Sequence, residues 1–407
     1  MVSYSGDNAN AAELIHEELA LRGLSVFHDR CTFPSGSRIG QNMAEAVARC
    51  DSFVAYLTPK SLYEARPAGT PRPALDDELL PVLDRLARSR STGNPVDSAR
   101  PVVVPLTHGL GDPRREAPDR VRRATGRDIS SLWIPVALDQ STASISQPEA
   151  AAAARAVLGA LLVPGTGRAV SDPIELLVVA RGEGQPASFL TIDATGLLGG
   201  PTSRPGLPED WARFLAGARD LQTALAAWTP QRRLRVRIRA HLTAAIALGR
   251  VFNQAASWVT VVEGRHGDAE PSDAEVHPQL KVSLEKGARR GDLAIEIDLL
   301  GVKLSQLAAP CLASLSQPVP NRLCMWREGT DDLGPGEVSE MASAAAVAVR
   351  DAIFDLQPPR AHIFCATPVE FAVLLGRKLT SLHCDLSMYE RDGDAYGRSL
   401  VIPRTLP

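Results

Sequence analysis

Residues 238–263 align without a gap to residues 365–390, at a constant separation of 127 positions. Ala245, Leu248, Gly249, Arg250 and Glu263 recur as Ala372, Leu375, Gly376, Arg377 and Glu390. Each copy reads as a strand, a short turn, a helix ending in Leu-Gly-Arg and a second strand ending in Glu. Three structural boundaries kept in step without a gap indicate duplication of one unit. Two such units facing each other form a pseudo-symmetric cleft between their strand ends.

The first half follows a different rhythm. A strand near 2–5 leads to a helix over 9–22, with Ala11, Leu14, Ile15, Leu19 and Leu21 on its apolar stripe. Strand 24–27, a helix near 38–49 and strand 53–57 follow, then a Pro-rich stretch at 66–73 and an acidic helix over 74–88. Strand 102–106, the segment 133–136 and an alanine-rich helix over 148–163 complete the series. Strands separated by helices predict a parallel, doubly wound sheet, in which ligands sit beyond the carboxyl ends of strands. The loops at 3–8, 29–37 and 58–73 all follow strands and so share that edge. Residues 164–167, Pro-Gly-Thr-Gly, read as a linker. Beyond it, the runs 176–180 and 189–192 flank Gly182-Glu183-Gly184 and predict a hairpin. A helix over 209–228 carries Trp211, Phe214, Leu215, Leu221, Leu225 and Trp228 as its apolar face.

A chain of 407 residues is long enough for two or three domains. No apolar run reaches the length of a membrane span, and no signal-peptide pattern opens the chain. Cysteines 31, 50, 311, 324, 365 and 384 are scattered, so neither a zinc site nor a disulfide framework is indicated, and a reducing cytoplasm is expected. A net charge of −3 excludes a basic protein that coats duplex DNA. Of the 44 cations 39 are arginines, which suits phosphate recognition but also fits the codon bias of a GC-rich genome. P-loop, HExxH and EF-hand patterns are absent.

Ser3-Tyr4-Ser5-Gly6-Asp7, the loop Phe33-Pro34-Ser35-Gly36, the strand 53–57 and Glu78-Leu79 occur in an order that resembles a TIR domain. The resemblance implies a flavodoxin-like domain with a parallel sheet over 1–165 and places the chain beside the NAD-cleaving branch of that family. It assigns catalysis to Glu78, with Glu64 as the fallback. Loss of nicotinamide leaves an oxocarbenium-like ribose, which one carboxylate near the ribose hydroxyls can stabilise. The bland alternative for Glu78 is a solvated acid in the first turn of a helix. Tyr4, Ser5, Gly6, Asp7, Asp29, Arg30, Phe33 and Ser52 are the candidates for holding NAD. Ser5-Gly6-Asp7 reads equally as a phosphate-approaching loop or a simple helix cap. Where many TIR sequences carry Trp-Cys, this chain has Ala74 and Leu75, so stacking on NAD falls to Tyr4 or Phe33.

In the second half, residues 362–368, Ala372 to Gly376, Ser387 to Glu390 and Tyr396 resemble a SAVED domain, two fused Rossmann-like units related to the CARF fold, here over 172–407. The resemblance implies a sensor of cyclic oligonucleotides, with phosphate donors and stacking surfaces at the strand ends. Arg239, His241, Thr243, Lys281, Arg322, Trp326, Thr367, Pro368, Arg377, Tyr389 and Arg391 are the candidate ligand residues. Arg250 and Arg377 also fit the charge complementing a helix C-terminus, and Tyr389-Glu390 a buried strand end. TIR joined to SAVED resembles the effectors of bacterial CBASS anti-phage defence. There a cyclic oligonucleotide drives head-to-tail assembly and the TIR domains destroy NAD. On that resemblance NAD is the substrate, a cyclic tri- or tetra-adenylate the activator, and neither a metal nor a resident cofactor is expected. Neither duplex nucleic acid nor a membrane is an expected partner. A non-enzymatic TIR scaffold is the alternative from another class, and an ADP-ribosyl cyclase or a nucleosidase acting on other nucleotides is a third.

Overall fold

The computed structural model describes residues 1–4, 8–26, 45, 47, 50, 52–62, 78–91, 102–112, 115–127, 136–138, 145–162, 171–180, 190–199, 206–329, 332–380, 382–393 and 395–404. The chain divides into two compact units, Met1–Ala169 with Thr223–Thr229, and Val170–Gln222 with Pro230–Pro407. Among the described residues no helix is long and apolar enough to cross a membrane.

The first unit is built on strands β1 (Val2–Ser3), β2 (Ser52–Leu57), β3 (Val102–Thr107) and β4 (Val136–Ala137), paired in that order and all parallel. Five of six residues in both β2 and β3 are buried, the continuous apolar run expected of strands covered on both faces. Among the described residues the helices are α1 (Ala9–Ala20), α2 (Leu80–Ser91), α3 (Glu116–Thr125) and α4 (Gln147–Leu161). Phe53, Ala55 and Leu57 of β2 share a core with Leu79, Val82, Leu83, Ala117 and Val121. A capping box starts α4: the Ser146 N–H donates to Glu149 Oε2 at 2.7 Å, and Pro occupies the first turn. The strand expected at 24–27 is not formed over Leu24–Val26, which pair with none of the described strands; Phe27 lies outside the described residues. Gly23 (φ 82°) turns the chain there, and Leu24 N–H donates to Leu19 O, which ties the segment to the end of α1.

The second unit holds two sheets. The first contains β5 (Ile174–Val179), β6 (Leu190–Asp193), β7 (Arg233–Arg239), β8 (Val259–Gly264) and β9 (Gly267–Ala269), in the order β6-β5-β7-β8-β9. The second contains β10 (Leu280–Glu285), β11 (Leu293–Asp298), β12 (Asn321–Arg327), β13 (Arg360–Ala366), β14 (Asp385–Asp392) and β15 (Ala395–Ile402), in the order β10-β12-β11-β13-β14-β15. Without β10 the two orders are the same, and in both only the closing hairpin is antiparallel. Among the described residues the helices are α5 (Pro208–Trp228, grouped with this unit as far as Gln222), α6 (Leu242–Val251), α7 (Leu304–Ala313), α8 (Pro335–Leu356) and α9 (Val369–Lys378). β7 and β13, α6 and α9, and the starts of α5 and α8 are each 127 positions apart, so the duplication extends well upstream of the residues that reveal it. The expected hairpin at 176–192 is overturned, because β5 and β6 pair in parallel. Leu176 to Ala180 is an unbroken apolar run, the mark of a strand inside a parallel sheet rather than of a half-exposed hairpin.

The repeated Leu-Gly-Arg is the dyad contact between α6 and α9. A Cβ on Gly249 would sit 2.1 Å from Val373 O, and one on Gly376 would sit 2.2 Å from Ile246 O. Val373 is the 127-residue counterpart of Ile246, so the two helices cross by one contact used twice. Glycine is required because backbone meets backbone there. The arginines that follow are buried and span the same interface. Arg250 donates to Leu379 O, the C-cap carbonyl of α9, and Arg377 donates to Trp258 O at 2.6 Å.

Candidate functional site

In the first unit the carboxyl edge of the sheet is held by short polar links. Thr58 N–H donates to Ser61 Oγ at 2.7 Å, and Asn8 Nδ2, at the start of α1, donates to Thr58 Oγ1 at 3.1 Å. The Tyr56 hydroxyl and His108 Nδ1 hydrogen-bond at 2.8 Å across the ends of β2 and β3. Burial, reinforced by the nearby Glu149, pushes the Tyr56 phenol well above its ordinary pKa, so it stays neutral. Glu78 is half-buried immediately before α2. Its neighbour Leu79 is 3% exposed and packed into the core, which anchors the backbone that presents Glu78.

Tyr4 is half-buried just past β1, on the carboxyl edge. Ser52 is not on that edge. It opens β2, and a six-residue strand puts it about 16 Å from the loop after Leu57. Ser52 is therefore withdrawn as an NAD contact. Ser5, Gly6, Asp7, Asp29, Arg30, Phe33 and Glu64 lie outside the described residues.

In the second unit the carboxyl ends of the two sheets frame two cavities of about 530 and 440 Å³, a volume range suited to organic ligands. They are dyad-related in construction. The larger joins the β8–β9 turn (Gly264, Arg265, His266, Gly267) to the start of α9 (Pro368, Glu370). The smaller joins the β14–β15 turn (Glu390, Arg391, Gly393) to the residues that open α6 (Ala240, Leu242). Leu300 lines both. Each cavity thus takes a hairpin from one half and a helix start from the other.

The candidates divide accordingly. Pro368 is the N-cap of α9 and lines the larger cavity; Thr367 and Arg391 line the smaller, and Arg239 is exposed at the end of β7. His241 and Thr243 are buried at the start of α6. His241 Nε2–H donates to Leu198 O at 3.0 Å, with Nδ1 3.6 Å from Glu390 Oε2. Thr243 N–H donates to Glu390 Oε1 at 2.6 Å, and its hydroxyl meets Ser399 Oγ at 2.9 Å. Both are wall supports, with the amide of α6 already taken by a carboxylate.

Five candidates line neither cavity. Arg377 is committed to Trp258 O across the dyad. Tyr389 is core: its hydroxyl meets His362 Nδ1 at 2.8 Å, its ring stacks on Phe364 at 4.5 Å, and burial pushes its pKa up to about 12. Arg322 stands at the amino end of β12, opposite the cleft edge, and donates to both oxygens of the buried Glu296 at 2.7 and 3.0 Å. Lys281 pairs with Glu328 at 3.3 Å on the outer strand β10, and Trp326, 41% exposed, lies beside it in register. Neither lines the two cavities.

The sequence reading missed Arg265, His266 and Arg327, which line the larger cavity. The turn after the first copy's second strand, Gly264-Arg265-His266, held the signal for two of them, because the loop after the matching strand contains Arg391.

Residues 1–115 match the family model of the TIR domain, and residues 218–402 match that of the SMODS-associated and fused to various effectors sensor domain, SAVED. No curated protein matches the chain. Similar solved structures include the Acinetobacter baumannii Cap4 SAVED/CARF-domain containing receptor with the cyclic trinucleotide 2'3'3'-cAAA, 12% identical over 98% of this chain and 99% of that chain, TM-score 0.46. The same receptor with 3'3'3'-cAAA is 12% identical over 99% and 100%, TM-score 0.47. The Moraxella osloensis Cap4 SAVED/CARF-domain containing receptor is 12% identical over 97% and 98%, TM-score 0.45.

Proposed function

We propose, from the premise that this chain is a TIR–SAVED fusion, that it is an NAD glycohydrolase switched on by a cyclic oligonucleotide in anti-phage defence. The observation that carries the sensing half is the pair of dyad-related cavities, the larger lined by Arg265, His266 and Arg327. Guanidinium forks suit phosphodiester oxygens, and a cleft with two similar lobes suits a ring of repeating units. Occupation of the cleft favours head-to-tail contact between copies, an open heterologous interface that can grow. Neighbouring TIR domains then complete one another's sites around Glu78, whose carboxylate stabilises the oxocarbenium-like ribose as nicotinamide departs. Water takes the anomeric carbon and yields ADP-ribose.

The ligand half is tested by equilibrium binding of cyclic di-, tri- and tetranucleotides to the purified chain. Arg265→Ala and Arg327→Ala are each expected to weaken the ring that binds by about tenfold to a hundredfold, the worth of one charge-assisted contact. The loss should shrink as salt rises. Both variants binding like the parent would remove the larger cavity from the ligand site. The enzymatic half is tested by nicotinamide release with the same panel; binding and assembly without release would support a scaffold.

A further inference from the structure

Strand β10 ends the second sheet and pairs, among the described residues, with β12 alone. It has no counterpart among the described strands of the first sheet. Just before the strand, Gln279 O accepts the Glu328 N–H at 3.0 Å, which sets the alternation of the antiparallel ladder. Lys281, Ser283 and Glu285 therefore turn their backbone groups to β12, while Leu280, Val282 and Leu284 turn theirs outward. The Leu280 N–H donates to His277 O at 3.1 Å, so the open part of the edge is Val282 and Leu284. Val282 is 47% exposed and Leu284 is half-buried. More apolar surface lies nearby. Trp326, 41% exposed, is in register with Lys281, and Phe354, 80% exposed, adjoins Asp355, which accepts from Lys286 Nζ.

An open edge invites a second strand, and a lysine on it ordinarily discourages one. Here Lys281 and Glu285 lie on one face, with Ser283 midway between them. An antiparallel copy of β10 can pair only in registers that set outward residues against outward residues. The register centred on Ser283 does so, with Val282 against Leu284 of the second copy and Leu284 against its Val282. It also sets Lys281 against Glu285 of the second copy, and Glu285 against its Lys281. Either neighbouring register of the same parity faces Lys281 with Ser283 or Gly287 and loses both ion pairs.

We propose that the edge of β10 is a self-recognition surface, at which two copies of this chain join their second sheets across a two-fold axis through Ser283. The N–H and C=O groups of Val282 and Leu284 then find partners in both copies. Each Lys281 meets a Glu285 at a closely spaced, non-hydrogen-bonded position. The contact is isologous and closes at two copies. It needs no ring, and so differs from the open head-to-tail contact proposed above.

The test follows the mass of the full chain, without nucleotide, by sedimentation velocity across a dilution series. The parent is expected to pass from one chain to two as concentration rises. Lys281→Glu and Glu285→Lys each set like charges opposite one another twice, and each is expected to weaken the dimer by about tenfold or more. An equimolar mixture of these two variants is expected to dimerise again, because every acid of one then faces a lysine of the other. A parent that stays at one chain up to its solubility limit overturns the proposal. So does a parent whose mass grows past two chains, a single variant that dimerises like the parent, or a mixture that associates no better than its components. Thermal melting checks that each variant folds. Should either reversal unfold the chain, Ser283→Lys decides: it sets a lysine against its own copy on the axis, and an unchanged dimer there overturns the proposal.

Discussion

Glu78→Gln is expected to lower ligand-stimulated nicotinamide release by about a hundredfold to a thousandfold, the usual loss when a group aimed at developing charge is neutralised. Ring affinity and assembly should not change, because the substitution is isosteric and distant in sequence from the cleft. Stability should move by less than about 0.5 kcal/mol, as for surface positions generally, since Glu78 is half-buried and Leu79 still anchors the turn. Product analysis by chromatography, with ring binding followed in parallel, separates the outcomes. Unchanged release would return Glu78 to the role of a solvated acid near a helix start, where Asp76 and Asp77 already stand beside it in sequence. Lost release together with lost ring binding would mean that the variant is misfolded.

Gly249→Ala and Gly376→Ala are each expected to destabilise the second unit by about 3 kcal/mol, at the upper end of overpacking penalties. Alanine improves intrinsic helix propensity by about 1 kcal/mol, so an exposed site would respond in the opposite direction. Here the added methyl meets the carbonyl of Val373 or Ile246 at 2.1 or 2.2 Å, and backbone cannot swing aside as a side chain can. The helices must part, which also pulls Arg250 and Arg377 from the carbonyls they bind across the interface. Gly336→Ala in α8 is the control, because its added methyl meets nothing within 4 Å. Its thermal midpoint should be unchanged or slightly raised. If all three variants melted alike, the dyad crossing of α6 and α9 would be wrong.

The duplication was legible because its invariant residues are the ones the dyad needs. Gly249 and Gly376 let two backbones touch, and Arg250 and Arg377 reach over the contact. These roles also explain why Arg377 was a poor ligand candidate: the pattern that made it conspicuous came from packing. The basic residues that line the larger cavity escaped notice for the converse reason. Arg265, His266 and Arg327 have no counterparts in register, so an argument from repetition passes over them. Strand order within each half was hidden as well. The spacing from β5 to β11 and from β6 to β12 departs from 127, and β10 has no partner in the first copy. In the first unit the apolar runs of β2 and β3 were plain, whereas Leu24–Val26 carried too little to distinguish a strand from the tail of a helix. Ser52 was misplaced because a strand's residues were taken without asking which end faces the ligand.

The most direct test of ligand-gated NAD cleavage is a single titration of the full-length protein with the ring that binds best, following ring occupancy and the initial rate of nicotinamide release in the same samples. The rate is predicted to rise from near zero with occupancy, and more steeply than occupancy if assembly intervenes. A rate already maximal without ring, or one that stays at zero when the cleft is full, would contradict the account.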